Sequence, residues 1–334
     1  MAIDIHAHYV PRQLLSRIEK SGREIGVTLQ RSASNEPGVA FHYGFATRPL
    51  FAKLVEDAAS RRESLDRQGV DRQLVATWPD LYGYGLDASS CDHWHRMLND
   101  TLVEWCLDNR DRFSFVCSAP LVNLERAVTE LERSVGLGAI AVMVPANIEG
   151  RNIGECELDP FWQKVEALGL PVILHPVLVE TAPRTARFGL RQIAQYTFDT
   201  TVGFGSLVFS GILDRFPDLR LVLSHGGGTF PYLVGRFDLV SSRGNAKAQG
   251  IVSRERPSAY AARVNYDTIV HSPKVLRFLA DQVGFGQLLL GSDESFPPAD
   301  MDPVGSLRAA GFSAMQIEQI TDANPRRVFS RLAG

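Results

Sequence analysis

An eightfold alternation of short apolar segments with longer amphipathic segments is the feature that most constrains the fold of this chain. The longer segments, such as 124–135, repeat apolar residues every three or four positions, which is typical of helices packed on one face. Eight strands alternating with helices in 334 residues favour an α/β fold with a parallel sheet, closed into a (β/α)8 TIM barrel. The candidate strands are residues 3–8, 73–78, 113–119, 139–144, 171–175, 219–224, 263–267 and 287–291.

A doubly wound open sheet is the competing topology for this alternation. Such sheets often carry a glycine-rich phosphate loop, but the sequence has no G-x-G-x-x-G after its first strand and no Walker loop. We therefore predict a single barrel domain over 1–334. Residues 21–47 interrupt the pattern with two short runs, 27–29 and 39–43, on either side of a turn-forming Asn-Glu-Pro-Gly. They are predicted to form an inserted β-hairpin or flap.

The helical pattern gives a second set of expected elements. Ser313 is a suitable N-cap for the first of two closing helices, because its hydroxyl can accept a backbone N–H bond. The candidate helices are residues 11–20, 49–68, 94–109, 124–135, 160–168, 203–215, 231–240, 272–283, 316–320 and 324–332.

Composition restricts the partners and the compartment. The chain is 45% hydrophobic and 22% charged with a formal net charge of −3, so no nucleic-acid or membrane partner is expected. No apolar run reaches the roughly 20 residues of a membrane helix, and the N-terminus lacks a secretory signal pattern. The four cysteines have no C-x-x-C spacing and are expected to be reduced thiols. These observations predict a cytoplasmic protein.

Reactive side chains recur where the predicted strands end. His6 and His8 end the first strand, His175 ends the fifth, His225 follows the sixth and Asp293 follows the eighth. His6 and His8 share one face of their strand because side chains two residues apart point the same way. The carboxyl ends of all barrel strands meet at one face of the barrel. The pattern therefore predicts a metal site there.

The residue types in this set indicate which metal and which chemistry. Neutral imidazoles with a carboxylate suit Zn²⁺, and Mn²⁺ is also compatible. Such an ion lowers the pKa of bound water to about 7. An unligated histidine, with an ordinary pKa of about 6.5, can accept that proton.

The histidine pair on strand one, the histidines on strands five and six and the aspartate after strand eight together resemble the amidohydrolase superfamily. Members with two metals bridge them with a carboxylated lysine on strand four, and residues 139–144 contain no lysine. The resemblance thus implies one divalent ion, held by His6, His8, His175 and Asp293. It leaves His225 unligated, as an acid or base.

Further stretches resemble the decarboxylase branch of this superfamily, typified by aminocarboxymuconate-semialdehyde decarboxylase. They are DIHAHYVP (4–11), TRPL (47–50), DRQGVD (66–71), HGGGTF (225–230) with GR (235–236), and GSD (291–293) with FP (296–297). The resemblance implies that Arg48 holds a substrate carboxylate, which a guanidinium can bind through two parallel hydrogen bonds. It also implies that Arg236 reaches into a neighbouring subunit's site, so that a homodimer or higher homo-oligomer is the competent form.

Four more residues of interest lie near strand ends. Trp78, at the end of strand two, is a candidate to pack on a conjugated substrate, although a core position fits it equally. Asp267 is a candidate to orient a metal ligand, and His271 is interpreted as structural. Glu294 departs from the family pattern and is expected to place a second carboxylate beside Asp293, altering the preferred substrate charge.

Together these features predict a metal-dependent, non-oxidative decarboxylase of a conjugated or aromatic carboxylic acid. His225 would move the proton, or Asp293 would protonate the carbon that loses CO₂, while Arg48, Arg236 and Trp78 would bind the substrate. A hydrolase of lactones, amides or esters, or a hydratase of a double bond, is the alternative on the same site. A non-catalytic barrel that only binds metal or ligand is a third hypothesis.

Overall fold

Eight parallel strands form the centre of the protein in a computed structural model, which describes residues 1–177 and 182–332. They follow one another around the ring in chain order, each parallel to its neighbours. The ring closes where Ile5 N donates to Leu290 O at 2.9 Å. This confirms the (β/α)8 barrel. Its strands are β1 (Ile3–His8), β4 (Arg72–Ala76), β5 (Phe113–Cys117), β6 (Ala141–Pro145), β9 (Val172–His175), β10 (Leu221–Leu223), β11 (Asn265–Asp267) and β12 (Leu288–Leu289).

Two short antiparallel pairs lie outside the barrel. The first joins β2 (Val27–Arg31) to β3 (Pro37–Phe41), with Val27 opposite Phe41 and Arg31 opposite Pro37. This hairpin lies inside the predicted insertion, and Val27, Val39 and Phe41 pack into the hydrophobic core. The second pair, β7 (Asn147–Ile148) and β8 (Arg151–Asn152), follows β6.

Helices surround the strands, and several begin or end where a cap dictates. The helix predicted to begin at residue 49 begins at Ala58, because Asp57 accepts a hydrogen bond from Ser60 N at 2.8 Å and caps it. The segment predicted as one helix over 203–215 begins earlier and is divided at Gly211, whose φ of 71° is left-handed. The α-helices are α1 (Arg12–Ser21), α2 (Ala58–Gln68), α3 (Ala88–Asp108), α4 (Leu124–Gly136), α5 (Asp159–Ala167), α6 (Tyr196–Phe209), α7 (Ile212–Arg215), α8 (Phe230–Ser241), α9 (Pro257–Ala261), α10 (Pro273–Val283), α11 (Pro303–Ala309), α12 (Ala314–Glu318) and α13 (Asn324–Val328).

The closing helices confirm one predicted cap. Ser313 Oγ accepts from Gln316 N, and the Gln316 side chain accepts from Ser313 N, which forms a reciprocal capping box. A π-helical turn over Gln319–Ala323 joins α12 to α13. In the two described ranges, no helix combines the length and the apolar character that crossing a bilayer requires.

Candidate metal centre and substrate cavity

His6 and His8 lie side by side at the carboxyl end of β1. Both are buried, and their Nε2 atoms are 3.1 Å apart. Asp267, at the end of β11, lies 2.7 Å from His6 Nδ1. We assign the proton to Nδ1, since a carboxylate accepts it there. His6 therefore turns the lone pair of Nε2 toward His8.

Asp293 and two further histidines complete this cluster. Asp293 Oδ1 lies 3.6 Å from His6 Nε2 and 3.4 Å from His8 Nε2, while Asp293 Oδ2 lies 3.5 Å from His225 Nε2. The ring of His175 has its centre 5.1 Å from that of His6 and 4.9 Å from that of His8. The barrel therefore brings together all five residues at which the sequence placed a metal site.

The spacing and the unpaired atoms of this cluster fit a divalent cation. Ligands 2.0–2.1 Å from a tetrahedral Zn²⁺ lie about 3.3 Å from one another, close to the separations among His6, His8 and Asp293. Within the described ranges, His175 Nε2 and Asp293 Oδ1 are buried and accept no hydrogen bond. Buried acceptors without donors are costly, and a bound cation would satisfy both.

The electrostatics of the cluster favour the protonation states that a cation needs. Burial lowers the pKa of His8 to about 4, and burial with the nearby His8 and His6 rings lowers the pKa of His175 well below its ordinary value. Burial opposes ionisation of Asp293, but the adjoining His225 and His8 side chains hold the pKa of its carboxyl well below the usual range. Neutral imidazoles and an ionised carboxylate are the forms that bind metals.

His6 differs from its neighbours because two carboxylates face it. Burial lowers the pKa of His6, yet the hydrogen bond to Asp267 and the charge of Asp293 raise it overall. Without a cation, His6 thus takes up a proton more readily than His8 or His175, whose pKa values are lowered. A divalent ion would compete with that proton for Nε2 of His6.

Two ligand sets are compatible with these distances. The donor atoms of His6, His175, His225 and Asp293 all lie within 4.8 Å of one another, whereas the sequence motif favours His8 in place of His225. His8 Nε2 lies 3.1 Å from His6 Nε2 and 3.4 Å from Asp293 Oδ1, so it is also within reach of an ion held by those two residues. The assignment of His6, His8, His175 and Asp293 as ligands stays a prediction.

Asp267 also fixes the turn that carries His225. Its carboxylate accepts hydrogen bonds from the backbone N–H groups of His225 (2.8 Å) and Gly226 (2.7 Å), as well as from the His6 ring. His225 and Asp293 have φ of 53° and 57°, a left-handed conformation that is unfavourable for such side chains. Strain of this kind concentrates at functional sites, and Asp267 holds one of the two turns in place.

A cavity of about 430 Å³ opens over the cluster, with His175, His225 and Asp293 in its wall. Arg48 lines it, with its guanidinium over the rings of Phe51 (5.5 Å) and Trp78 (5.8 Å). Trp78 lines the cavity as well, although only 3% of the residue is exposed. The cavity thus combines a metal-binding floor with a guanidinium held among aromatic rings.

Arg236 lies elsewhere, on the exposed side of α8, and does not line the cavity of its own chain. Tyr232 and Leu239, which lie on the same face of α8, are 79% and 58% exposed. Tyr232 has its ring 6.4 Å from that of Phe278 on α10. Arg236 is therefore surrounded by exposed apolar side chains.

Three residues of the cavity wall were not predicted as site residues from the sequence. They are His271, which was interpreted as structural, and Asp80 and Tyr196, for which the motifs indicated no role. Asp80 follows Trp78 by two residues, so its position just after a strand end was an available signal. Tyr196 is the first residue of α6, whereas the sequence pattern predicted that this helix begins at residue 203.

Glu294 does not take the role expected of it. Its side chain is fully buried and is absent from the cavity wall. It accepts hydrogen bonds from Ser64 (2.5 Å) and Gln73 (3.0 Å) and pairs with Lys53 at 3.3 Å. The left-handed backbone at Asp293 turns the two adjacent carboxylates in different directions. Glu294, with its partners Ser64, Gln73 and Lys53, therefore belongs to a cluster of polar side chains behind the site, which we call the buried support.

Arg61 is the other charged member of this buried support. Its Nε donates to Gln73 Oε1 at 2.9 Å and one terminal nitrogen donates to Ser295 Oγ at 3.0 Å. Its charge helps to lower the pKa of Glu294, against the effect of burial. Gln73 also donates to Asp4 at 2.7 Å. The support thus ties α2 to both β1 and the loop that carries Asp293.

Comparison with known proteins agrees with the fold and the motifs. The family model described as "Amidohydrolase" matches residues 3–331. A 2-amino-3-carboxymuconate-6-semialdehyde decarboxylase from Dictyostelium discoideum is 28% identical, over 91% of this chain and 84% of that protein. These matches confirm the resemblance inferred from the sequence motifs.

Two further relatives extend the comparison. A 2-keto-4-carboxy-3-hexenedioate hydratase from a Sphingobium species is 25% identical, over 99% of this chain and 97% of that protein. The structure of a dihydroxybenzoic acid decarboxylase from Polaromonas sp. JS666, with bound manganese and the inhibitor 2-nitroresorcinol, is similar with a TM-score of 0.77. That pair is 19% identical and the similarity covers 100% of this chain and 98% of the other.

Proposed function

Because the chain belongs to the amidohydrolase family, we propose that it is a metal-dependent, non-oxidative decarboxylase acting on a conjugated or aromatic carboxylic acid. Relatives named as decarboxylases of a carboxymuconate semialdehyde and of dihydroxybenzoic acid support this reaction and substrate class. The observation that carries the proposal is the cavity itself. It places an unpaired guanidinium, aromatic rings and a cation-binding cluster around one space.

Arg48 is the group that favours a carboxylic acid as substrate. Its Nε is buried without a hydrogen-bond partner in the described part of the chain, although guanidinium groups usually bind their partners through several N–H groups. A planar carboxylate would satisfy it through two parallel bonds. The rings of Trp78 and Phe51 hold the guanidinium in place, and Trp78, which lines the cavity, offers a flat apolar surface to a conjugated substrate.

Decarboxylation requires one bond to break and one proton to be delivered. The bond between the ring carbon and the carboxylate breaks, CO₂ leaves, and the electron pair remains on the carbon, which then takes a proton. A divalent ion held by the cluster would supply positive charge that stabilises this electron pair. His225, which lines the cavity 3.5 Å from Asp293, is placed to deliver the proton, with Asp293 as its partner or as the direct donor.

The ligand types and one related structure bear on which metal ion the cluster holds. Three imidazoles and one carboxylate suit Zn²⁺, and the related dihydroxybenzoic acid decarboxylase was crystallised with manganese. We propose one divalent ion per chain, with Zn²⁺ preferred and Mn²⁺ as the alternative. Elemental analysis of the purified protein separates the two.

Hydration of a double bond is the second candidate function, because one relative is named as a hydratase. A turnover assay separates the two reactions. The purified protein is incubated with hydroxybenzoates, aminobenzoates, muconates and lactones, and both CO₂ and product mass are followed. We expect at least one acid to yield a product 44 Da lighter, the mass of CO₂. A product 18 Da heavier and no CO₂ would instead identify a hydratase or hydrolase.

The active assembly is proposed to be a homodimer whose second copy covers the exposed face of α8. This face carries Tyr232, Arg236 and Leu239, and Val275 on the neighbouring helix is 46% exposed while also lining the cavity. A partner seated there would lie beside the cavity mouth and bring its own Arg236 toward a bound acid. An isologous contact would repeat this on the other subunit.

Subunit mixing tests this arrangement. Chains with Arg236→Ala and chains with His175→Ala are each expected to be nearly inactive. The first lack the arginine that each chain supplies to its partner's site, and the second lack a histidine of their own metal cluster. In a mixed dimer, one site regains both an intact cluster and an intact arginine. An equimolar exchanged mixture should therefore recover about a quarter of wild-type activity in a two-fold symmetric dimer. A mixture no more active than its parents, or a monomeric mass by sedimentation, would refute the shared site.

The cytoplasm is proposed as the compartment in which the protein works. Its four cysteines are free, and three of them are buried. Free thiols are typical of proteins kept in a reducing environment.

A further inference from the structure

A carboxylate outside the metal cluster, that of Asp80, forms part of the cavity wall. Asp80 lies in the short 3₁₀ turn Pro79–Leu81 that follows β4, two residues after Trp78. It is 6% exposed, and this small exposure faces the cavity. The roles proposed above for Arg48, Trp78 and His225 make no use of it.

Asp80 has no hydrogen-bond or ion-pair partner among the residues that the structure describes. Among residues 1–177 and 182–332 its carboxylate accepts no hydrogen bond and forms no ion pair within 4 Å. Buried polar atoms are almost always hydrogen-bonded. A buried carboxylate without a donor, in the wall of a substrate cavity, is therefore a position where the occupant of the cavity is expected to supply one.

The charges around Asp80 define the kind of hydrogen-bond donor that a substrate can present to it. Arg48 and Arg191 are the cations near enough to act on its carboxylate, and the Nε atoms of both lack hydrogen-bond partners in the described ranges. Two positive groups and one negative group leave one positive charge, which matches a single carboxylate on the substrate. A positively charged donor group on the substrate would be repelled by the two arginines. The donor that fits is consequently uncharged.

Tyr196 and Trp78 give this part of the cavity an aromatic lining. Arg191 lies over the ring of Tyr196 at 5.9 Å, and Arg48 lies over that of Trp78 at 5.8 Å. Both aromatic residues line the cavity beside Asp80. A planar substrate ring that contacts these side chains would bring its substituents close to the Asp80 carboxylate.

We propose that Asp80 selects acids whose ring carries a neutral hydroxyl or amino group, by accepting a hydrogen bond from that group. This inference rests on the proposed function for the class of acid, and it adds the substituent that the acid must carry. Burial raises the pKa of the Asp80 carboxyl to about 6, so it is mainly ionised at neutral pH and acts as an acceptor.

The test compares matched pairs of acids. The 2-, 3- and 4-hydroxybenzoates and aminobenzoates are each paired with the methoxy or methyl analogue, which cannot donate from that position. Hydrogen bonds to charged groups change affinity by about 10- to 100-fold. We expect the wild-type protein to prefer at least one donor-bearing acid by this factor in kcat/KM, and Asp80→Ala to reduce the preference to within about threefold.

Asp199→Ala is the matched control. Asp199 is also largely buried with its pKa raised to about 6 by burial, but it accepts hydrogen bonds from Val177 N (2.8 Å) and Asn147 (2.9 Å) and does not line the cavity. Its loss is expected to leave the ratio between paired acids unchanged. Asp80→Asn, which keeps the side-chain volume, serves if the alanine variant folds poorly, and it should give an intermediate preference.

Calorimetric binding of the same acids to the metal-loaded protein separates this inference from the proposed function. If no acid releases CO₂ but donor-bearing acids still bind more tightly and lose that advantage in Asp80→Ala, the decarboxylase proposal fails and the role of Asp80 stands. If CO₂ is released but paired acids behave alike, or Asp80→Ala weakens both members of a pair equally, the role of Asp80 is refuted.

Discussion

His225→Asn is expected to keep one divalent ion per chain and to lose about 10²- to 10⁴-fold in the rate of CO₂ release, the range typical of a general acid or base. Its Nε2 lies 3.5 Å from Asp293, and its side chain, 16% exposed, borders the cavity. It can therefore exchange protons with a bound acid. Metal analysis and steady-state rates on the same preparation measure both effects.

His8→Asn and His175→Asn are the matched variants for this experiment. Both side chains are buried with ring nitrogens in the cluster, so each is expected to lose the metal as well as activity. If His225→Asn lost the metal while His8→Asn retained it, the ligand set would be His6, His175, His225 and Asp293. The proton would then have to come from another group.

Arg61→Met is expected to destabilise the folded protein by about 3–5 kcal/mol, the usual cost of leaving a buried charge without its partner. The Arg61 and Glu294 side chains are both fully buried. Without Arg61, Glu294 would lose a nearby positive charge that lowers its pKa and would keep only its pair with Lys53, which is 40% exposed. Glu56 would also lose the cation that lies 3.8 Å from its Oε1. Chemical denaturation of the two proteins gives the difference in the free energy of unfolding.

The neighbouring Arg62 provides the control for this prediction. Arg62 pairs with Asp111 at 2.6 Å, but this pair lies at the surface and Asp111 is 64% exposed. Arg62→Met should therefore cost no more than about 1 kcal/mol. Adding Glu294→Gln to Arg61→Met should recover part of the loss, because the buried carboxylate that Arg61 no longer stabilises is then uncharged. Equal effects of Arg61→Met and Arg62→Met would contradict the buried support.

The barrel and the residues of the metal cluster could be predicted from the sequence because one topological rule connects them. All eight strands point their carboxyl ends to one face, so residues as distant as His6 and Asp293 meet there without any knowledge of loop structure. The strand ends needed only approximate placement. His175 and His225 were found in the same way.

Residues beyond the strand ends were harder to predict because their directions depend on turns. Glu294 follows Asp293 directly, yet left-handed backbone at Asp293 (φ 57°) turns it away from the cavity. Asp80 lies in a 3₁₀ turn that no periodicity indicates. Arg61 lies on α2, whose sequence is mostly polar, so its complete burial was not visible in the pattern of that helix.

Release of labelled CO₂ tests the central claim most directly. An acid that turns over in the panel assay is prepared with ¹³C in its carboxylate and offered to three samples: the purified protein, the protein stripped of metal by a chelator, and the stripped protein given one equivalent of Zn²⁺ or Mn²⁺. Metal-dependent decarboxylation predicts one ¹³CO₂ per acid consumed in the first and third samples and none in the second. Consumption of the acid with the label retained in the product, or undiminished ¹³CO₂ from the stripped protein, would contradict it.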